Sequence, residues 1–256
     1  MIKYILHATN TDKITYIGHS QGSLILLAAL SNNPKLNRLI NCCFALGPAS
    51  RLANIKGLFS MSPKFLRYIM VRNNAEPRPF MFMNENRTKY LYKMLMMLPY
   101  TLCLKLLMQV TGNNPKDFDK SQFKDVLLNV PSPTSVKNIQ HFLQMVDSKR
   151  FTKYDYGEER NRKHYGQFTA PEYNLKTISI PVYLFSGEED YLTTPEDIDW
   201  LANQLQNAKL FRYQRTAHLD YVIGKFSSVD IFEKIIELLT ENETNTVNTP
   251  SAIEVK

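Results

Sequence analysis

Apolar positions along the chain fall into short runs and helical stripes at its two ends. Ile14, Tyr16 and Ile17 form an apolar run of strand type, and Leu24, Leu27, Ala28 and Leu30 recur at helical spacing directly after it. Residues 39–46 (LINCCFAL) are almost unbroken apolar, as expected of a parallel strand covered on both faces, and Gly47-Pro48 closes the run. A third strand is predicted over residues 180–186 (IPVYLFS). Pro195 then suits the first turn of a helix reading PEDIDWLANQL. Residues 209–213 (KLFRY) predict the next strand and residues 229–239 an amphipathic helix. The order β-α-β, then β-α-β-α, predicts a doubly wound parallel sheet.

Residues 51–174, between the two halves of that pattern, have a different character. They are rich in helix formers and aromatics and hold every methionine except Met1. Val136, Ile139, Phe142, Leu143 and Val146 mark one helical stripe. This stretch is expected to be a helical insertion. Methionine adapts to irregular apolar shapes, so a surface for flexible apolar chains and a plain Met-filled helical core fit the composition equally. The expected division is therefore a sheet core over residues 1–50 and 175–240, an insertion over 51–174, and a polar, disordered tail over 241–256.

Composition narrows the class without naming a chemistry. The 256 residues are 44% hydrophobic and 21% charged, an ordinary globular balance that allows one large α/β domain or two small ones. The net charge of +7 is interspersed with acids, so no nucleic-acid footprint is expected. Three cysteines, with Cys42 and Cys43 adjacent in an apolar run, make neither a disulfide framework nor a metal-ligand spacing, and buried free thiols are expected for that pair. The first residues, MIKYILHATNTDK, have no signal-peptide pattern. The most apolar region, residues 91–110, is broken by Lys93, Pro99 and Lys105, so no transmembrane segment is expected.

The candidate chemistry lies in the pentapeptide Gly18-His19-Ser20-Gln21-Gly22, between the first strand and its helix. A sharp strand-to-helix turn strains the residue at the corner and exposes its side chain, here Ser20. Side chains two positions to either side are expected to collide with the adjoining backbone, which accounts for Gly18 and Gly22. The helix starting at the corner points free N–H groups at any oxyanion forming beside Ser20, the backbone N–H of Gln21 first. A serine hydroxyl needs a base, and the base an orienting acid; in chains with this turn they follow in the order Ser, Asp or Glu, His. The acid is expected after the strand at 180–186 and the base after the strand at 209–213. Asp190 fits the first place better than its neighbours Glu188 and Glu189, and His218 fits the second. Asp220, His7, His19, His141 and His164 are read as structural.

At these residues the chain resembles the gastric and lysosomal acid lipases, a family of α/β-hydrolases. The resemblance rests on GHSQG, on TSVKNIQHFLQMV, KYDYG, NRKHYGQF and PEYNL in the insertion, and on SGEEDYL and AHLDY near the end; it extends from Lys13 to about Leu239. It implies an α/β-hydrolase fold with an inserted helical cap or lid over residues 51–174. It also implies Ser20 as nucleophile, Asp190 as acid and His218 as base, with no metal or cofactor. The implied reaction is hydrolysis of triacylglycerols or steryl esters at a lipid–water interface through an acyl-enzyme, in a secreted or lysosomal setting. Two sequons, Asn86-Arg87-Thr88 and Asn242-Glu243-Thr244, would suit a secreted glycoprotein.

The chain departs from the family at three points. About a dozen residues precede the first strand, and no His-Gly pair of the kind that donates the family's second oxyanion N–H occurs. The expected fold is thus partial, with N-terminal strands missing, a bare sheet edge at residues 14–18, and self-association through it. Cys103 has no neighbour with which to form the cap disulfide of the vertebrate members, and the turn at residues 131–135 lacks the family's glycine. Two alternatives follow: a catalytically inactive lipase fragment that only binds lipid or a partner, or a short-chain esterase or thioesterase of the same fold.

Overall fold

The computed structural model describes residues 1–60, 97–123, 125–126 and 134–247, leaving out the side chains of residues 120 and 242–247. Strand β1 (Ile14–His19) runs into helix α2 (Gln21–Asn32), after a short helix α1 (Ile2–Thr9). Strand β2 (Ile40–Leu46) follows. The chain then leaves the sheet, and α3 (Tyr100–Thr111), α4 (Val136–Ser148) and α5 (Glu158–Tyr165) belong to this excursion. It returns as β3 (Val182–Gly187), α6 (Pro195–Gln204) and β4 (Ala208–Tyr213), and ends in α7 (Asp220–Ile223) and α8 (Ser227–Val247). The strands lie in the order β1-β2-β3-β4, every pair parallel.

Alternation along the central strands builds a core on each face. Cys43 and Ala45 of β2 join Leu24, Leu27 and Leu30 of α2 and Ile198 and Leu201 of α6 on one side. Cys42, Phe44 and Leu46 point the other way, to Ile231, Ile235 and Leu238 of α8. Phe44 stacks on Tyr183 at 4.9 Å between ring centroids, and Phe185 packs against Phe211 at 5.2 Å. Burying each such side chain stabilises the fold by roughly 1.5–3 kcal/mol. The sheet is thereby a rigid platform whose carboxyl-end loops can be placed accurately. Cys42 and Cys43 of β2 are buried free thiols.

Several sequence expectations meet their elements within a residue or two, and others are corrected. Helix α1 was not foreseen; its short stripe has no buried residue, only Ile2 packs on the core, and Asn10 ends it in a left-handed turn. Helix α8 runs through Glu241 to Val247 instead of giving way to a disordered tail, because extending a helix already anchored by Ile231, Ile235 and Leu238 costs little. Residues 248–256 lie outside the described residues, as do residues 61–96, which hold Asn86 and the start of the apolar region, and Pro131, Ser132 and Pro133. The α4 stripe packs into the same core as α2: Met145 and Leu143 are buried, and Phe142 and Val146 lean on the cluster. Strand β1 pairs with β2 alone among the described strands, and Ile17 is 52% exposed. No described helix is long and apolar enough to cross a membrane.

Candidate active site

Ser20 stands at the corner between β1 and α2 with φ 53° and ψ −116°, a conformation L-residues rarely adopt. Surrounding hydrogen bonds hold it there. Its N–H donates to the Leu46 carbonyl at 2.9 Å, and its own carbonyl accepts from Ser23, Leu24 and Ala49 N–H groups at 3.1, 3.3 and 3.3 Å. Ser23 Oγ donates to the Gly18 carbonyl at 2.5 Å, and the Tyr16 hydroxyl to the Gly22 carbonyl at 2.8 Å. Gln21 opens α2, so its N–H has no acceptor within the helix and points from the helix's positive end. The Gln21 side chain pairs with Asn138 of α4, donating to Oδ1 at 3.0 Å and accepting from Nδ2 at 3.3 Å.

A Cβ at Gly18 would lie 2.7 Å from Ser23 N and 2.8 Å from Tyr16 Cε1, so that glycine is sterically required. Gly22 is a correction: apart from its chain neighbours and the adjoining backbone of its own helix, no described atom lies within 4 Å of a Cβ there, and the expected collision with the strand side of the turn does not arise.

The structure brings Ser20, His218 and Asp190 together although they are far apart in sequence. Ser20 Oγ lies 2.8 Å from His218 Nε2, and His218 Nδ1 lies 2.8 Å from Asp190 Oδ2. Asp190 is wholly buried, whereas Ser20 is partly open, so the relay runs from a dry carboxylate outward to a reachable hydroxyl. Asp190 Oδ1 accepts from the N–H groups of Leu192 and Thr193 at 2.9 and 2.8 Å, and Oδ2 accepts from Thr193 Oγ1 at 2.7 Å. Each carboxylate oxygen is thus held by more than one donor, which fixes its direction. Glu188 is exposed and pairs with Arg212. Such a set can draw a proton from a hydroxyl and hold the resulting imidazolium.

Several supports were not legible in sequence. Gly47 has φ +47°, and a Cβ on it would meet Tyr221 Cε2 at 2.7 Å, Thr193 Oγ1 at 3.0 Å and Asp190 Oδ2 at 3.1 Å. Gly47→Ala is expected to destabilise the fold by roughly 1–3 kcal/mol from backbone strain alone and to displace the carboxylate, lowering turnover. Gly22→Ala is expected to leave both unchanged. Melting curves and turnover of the two variants side by side check the contrast.

The excursion between β2 and β3 supplies the rest. The Thr111 carbonyl accepts from His218 N–H at 2.8 Å, and Gly112 bridges to Asp190. Asn114 Nδ2 donates to the Arg215 carbonyl and, at 2.9 Å, to Asp220 Oδ2. Asp117 accepts from Phe226 and Ser227 N–H at 2.6 and 3.1 Å, at the start of α8. The glycine at position 112 and the Asn-x-x-Asp spacing were the only sequence signals available for these contacts.

Asp220, read as structural, also accepts from Ala217 N–H at 2.8 Å. Burial, with Asp117 and Asp190 nearby, pushes its pKa up from 3.8 to about 6. The folded state then binds this proton more tightly than the unfolded chain. The stability it contributes is full below about pH 4 and is lost as pH rises through about 6. Asp220→Asn cannot titrate, so from pH 7 to pH 4 the stability difference is expected to move in favour of the unsubstituted chain by about 2 kcal/mol. Denaturant melts of both at the two pH values measure it.

Three groups from loops at the carboxyl ends of β1, β3 and β4, over helices on both faces of a parallel sheet, define a protein of the α/β-hydrolase class. Residues 1–225 match the family model of the alpha/beta hydrolase fold, and the chain belongs to that family. Lipase lipl-1 of Caenorhabditis elegans is 32% identical, the match covering 96% of this chain and 63% of that protein. Gastric triacylglycerol lipase of Bos taurus is 30% identical over 94% of this chain and 62% of that protein. A solved structure of Paleococcus ferrophilus monoacylglycerol lipase superposes with a TM-score of 0.52 at 16% identity, covering 94% of this chain and 73% of the other, a likeness of fold. The chain spans less than two thirds of the length of these curated relatives.

Proposed function

We propose that this chain is a carboxylic ester hydrolase acting on neutral lipids, triacylglycerols or steryl esters, with Ser20 as nucleophile. The reading is carried by the unbroken contact from Ser20 Oγ through His218 to Asp190, at 2.8 Å for each link. Ser20 Oγ attacks the ester carbonyl carbon while His218 Nε2 takes its proton. The oxyanion is met by the Gln21 N–H, and collapse expels the alkoxide, which takes the proton back from His218 and leaves as alcohol. Water, deprotonated by His218, then releases the fatty acid from the acyl-serine. Asp190 keeps Nδ1 protonated and stabilises the imidazolium. Catalysis carried by the Gln21 donor alone would run about 100- to 1,000-fold below a two-donor site.

Residues 51–174 serve in this reading as the cap over the acyl chains, supported by the Gln21–Asn138 pair that ties α4 to the nucleophile corner. Names of the relatives, gastric lipase among them, support a lipid ester substrate and a secreted or lysosomal setting. Hydrolysis rates on a long-chain triacylglycerol emulsion, a steryl ester and a soluble short-chain ester test the substrate class. Faster release from the emulsion or the steryl ester supports the reading. Activity confined to the short-chain ester points to a soluble esterase, and none on any ester to a binding protein.

The β1 edge, unpaired among the described strands and with Ile17 half exposed, is expected to make the isolated chain self-associate. Sedimentation velocity over a concentration series checks this, and a monodisperse monomer contradicts it.

A further inference from the structure

No step above uses His19, yet it is the side chain best placed to set the distance between nucleophile and base. It lies in the chain between Gly18 and Ser20, with Nε2 2.8 Å from the main-chain carbonyl oxygen of His218. Its ring is 4.8 Å from the His218 ring and 5.7 Å from that of Tyr221, centroid to centroid. A carbonyl oxygen only accepts, so Nε2 carries the proton and Nδ1 is bare. Burial, then the neighbouring His218, pushes the His19 pKa down to about 4, leaving the ring neutral near pH 7.

His218 lies between β4 and α7, in neither a strand nor a helix, so regular structure does not fix its ring. Its main chain is tied at two points: the N–H to the Thr111 carbonyl at 2.8 Å, and the carbonyl to His19. The second tie comes from the residue adjoining Ser20. His19 also faces Tyr221, whose hydroxyl accepts the Gly187 N–H at 2.6 Å where β3 ends and the Asp190 turn begins. One half-buried imidazole therefore touches the base's backbone and the ring that backs the acid's strand. Its neutrality matters as well, since a cation there would oppose the charge His218 takes up during proton transfer.

We propose that His19 is a positioning residue that holds His218 within hydrogen-bonding distance of Ser20 through its Nε2–H bond to the His218 carbonyl; this rests on the roles proposed above for Ser20 and His218. Glutamine can present a side-chain N–H over a similar reach, whereas leucine cannot. His19→Leu is expected to lower kcat about 10- to 100-fold, the scale of a small misplacement of reacting groups, with KM within about twofold. His19→Gln is expected to stay within about threefold of the unsubstituted chain in kcat. Wild-type turnover in H19L, or an equal loss in H19Q and H19L with both folded, overturns the proposal.

Nitrogen NMR of the unsubstituted chain supplies a readout independent of variant folding. His19 is expected as the Nε2–H tautomer, and the Nδ1–H tautomer overturns the proposal. If the unsubstituted chain hydrolyses no ester, the hydrolase reading fails separately. The positioning claim is then decided by the Overhauser contact between the Ser20 methylene and the His218 ring, expected to persist in H19Q and vanish in H19L. Its persistence in H19L overturns the proposal.

Discussion

Ser20→Ala is expected to lower kcat for ester hydrolysis about a million-fold, the scale seen when a nucleophile is removed from a unit of this kind. The fold should survive, because among the described residues the hydroxyl contributes one hydrogen bond, to His218 Nε2, while the backbone at Ser20 is held by four main-chain bonds. Alanine keeps the strain of φ 53°, so its melting temperature should stay near that of the unsubstituted chain. Ser20→Gly removes the steric conflict and is expected to be more stable by about 1 kcal/mol while equally inactive. A variant that is both inactive and more stable marks a position held in strain for function. Turnover of a chromogenic ester, with a thermal melt on the same samples, reads both effects. Loss of less than about tenfold in S20A would remove Ser20 from the chemistry.

Asp190→Asn is expected to cost about ten-thousand-fold in kcat with little change in KM or stability. The direction follows from the contacts of the carboxylate. Two backbone N–H groups, of Leu192 and Thr193, point at Oδ1, so an asparagine must keep its carbonyl oxygen there. Its NH2 then falls at the Oδ2 position, facing His218 Nδ1 and Thr193 Oγ1. Because an NH2 only donates, Nδ1 must accept, and the ring proton moves to Nε2. The nitrogen facing Ser20 Oγ then has no lone pair to take the hydroxyl proton. A D190N variant that turns over within about tenfold of the unsubstituted chain would mean that the carboxylate does not set the tautomer.

Those two residues and His218 were legible in sequence because each sits where a strong local signal ends. Strands β2 and β3 are buried on both faces along most of their length and read as almost unbroken apolar runs, and β1 and α2 change period at Ser20. What the chain order could not show is the scaffold between the loops. Gly47 reads as punctuation until its empty side is seen filled by Tyr221, Thr193 and Asp190. Thr111, Asn114 and Asp117 lie in a segment expected to cover the site, and the structure finds them bracing the base loop and the start of α8. No periodicity carries that information, because these are single polar contacts across more than 90 positions of chain. Gly22 shows the opposite error, a steric demand assigned by pattern where the described neighbours leave room.

Local signals also misjudged the ends. The stripe of α1 is too short for a helical period to stand out, and the polar stretch after Leu239 carries no apolar stripe although α8 extends it to Val247. Both helices are set by what they adjoin: α1 by Ile2 against the core, α8 by the buried turns before it.

The most direct test of a hydroxyl activated by His218 and Asp190 is mass spectrometry of the folded chain after treatment with a fluorophosphonate ester. One adduct per chain on Ser20, absent in S20A and formed far more slowly in D190N, is the predicted result. A folded chain that stays unlabelled, or carries the adduct on another residue, contradicts it.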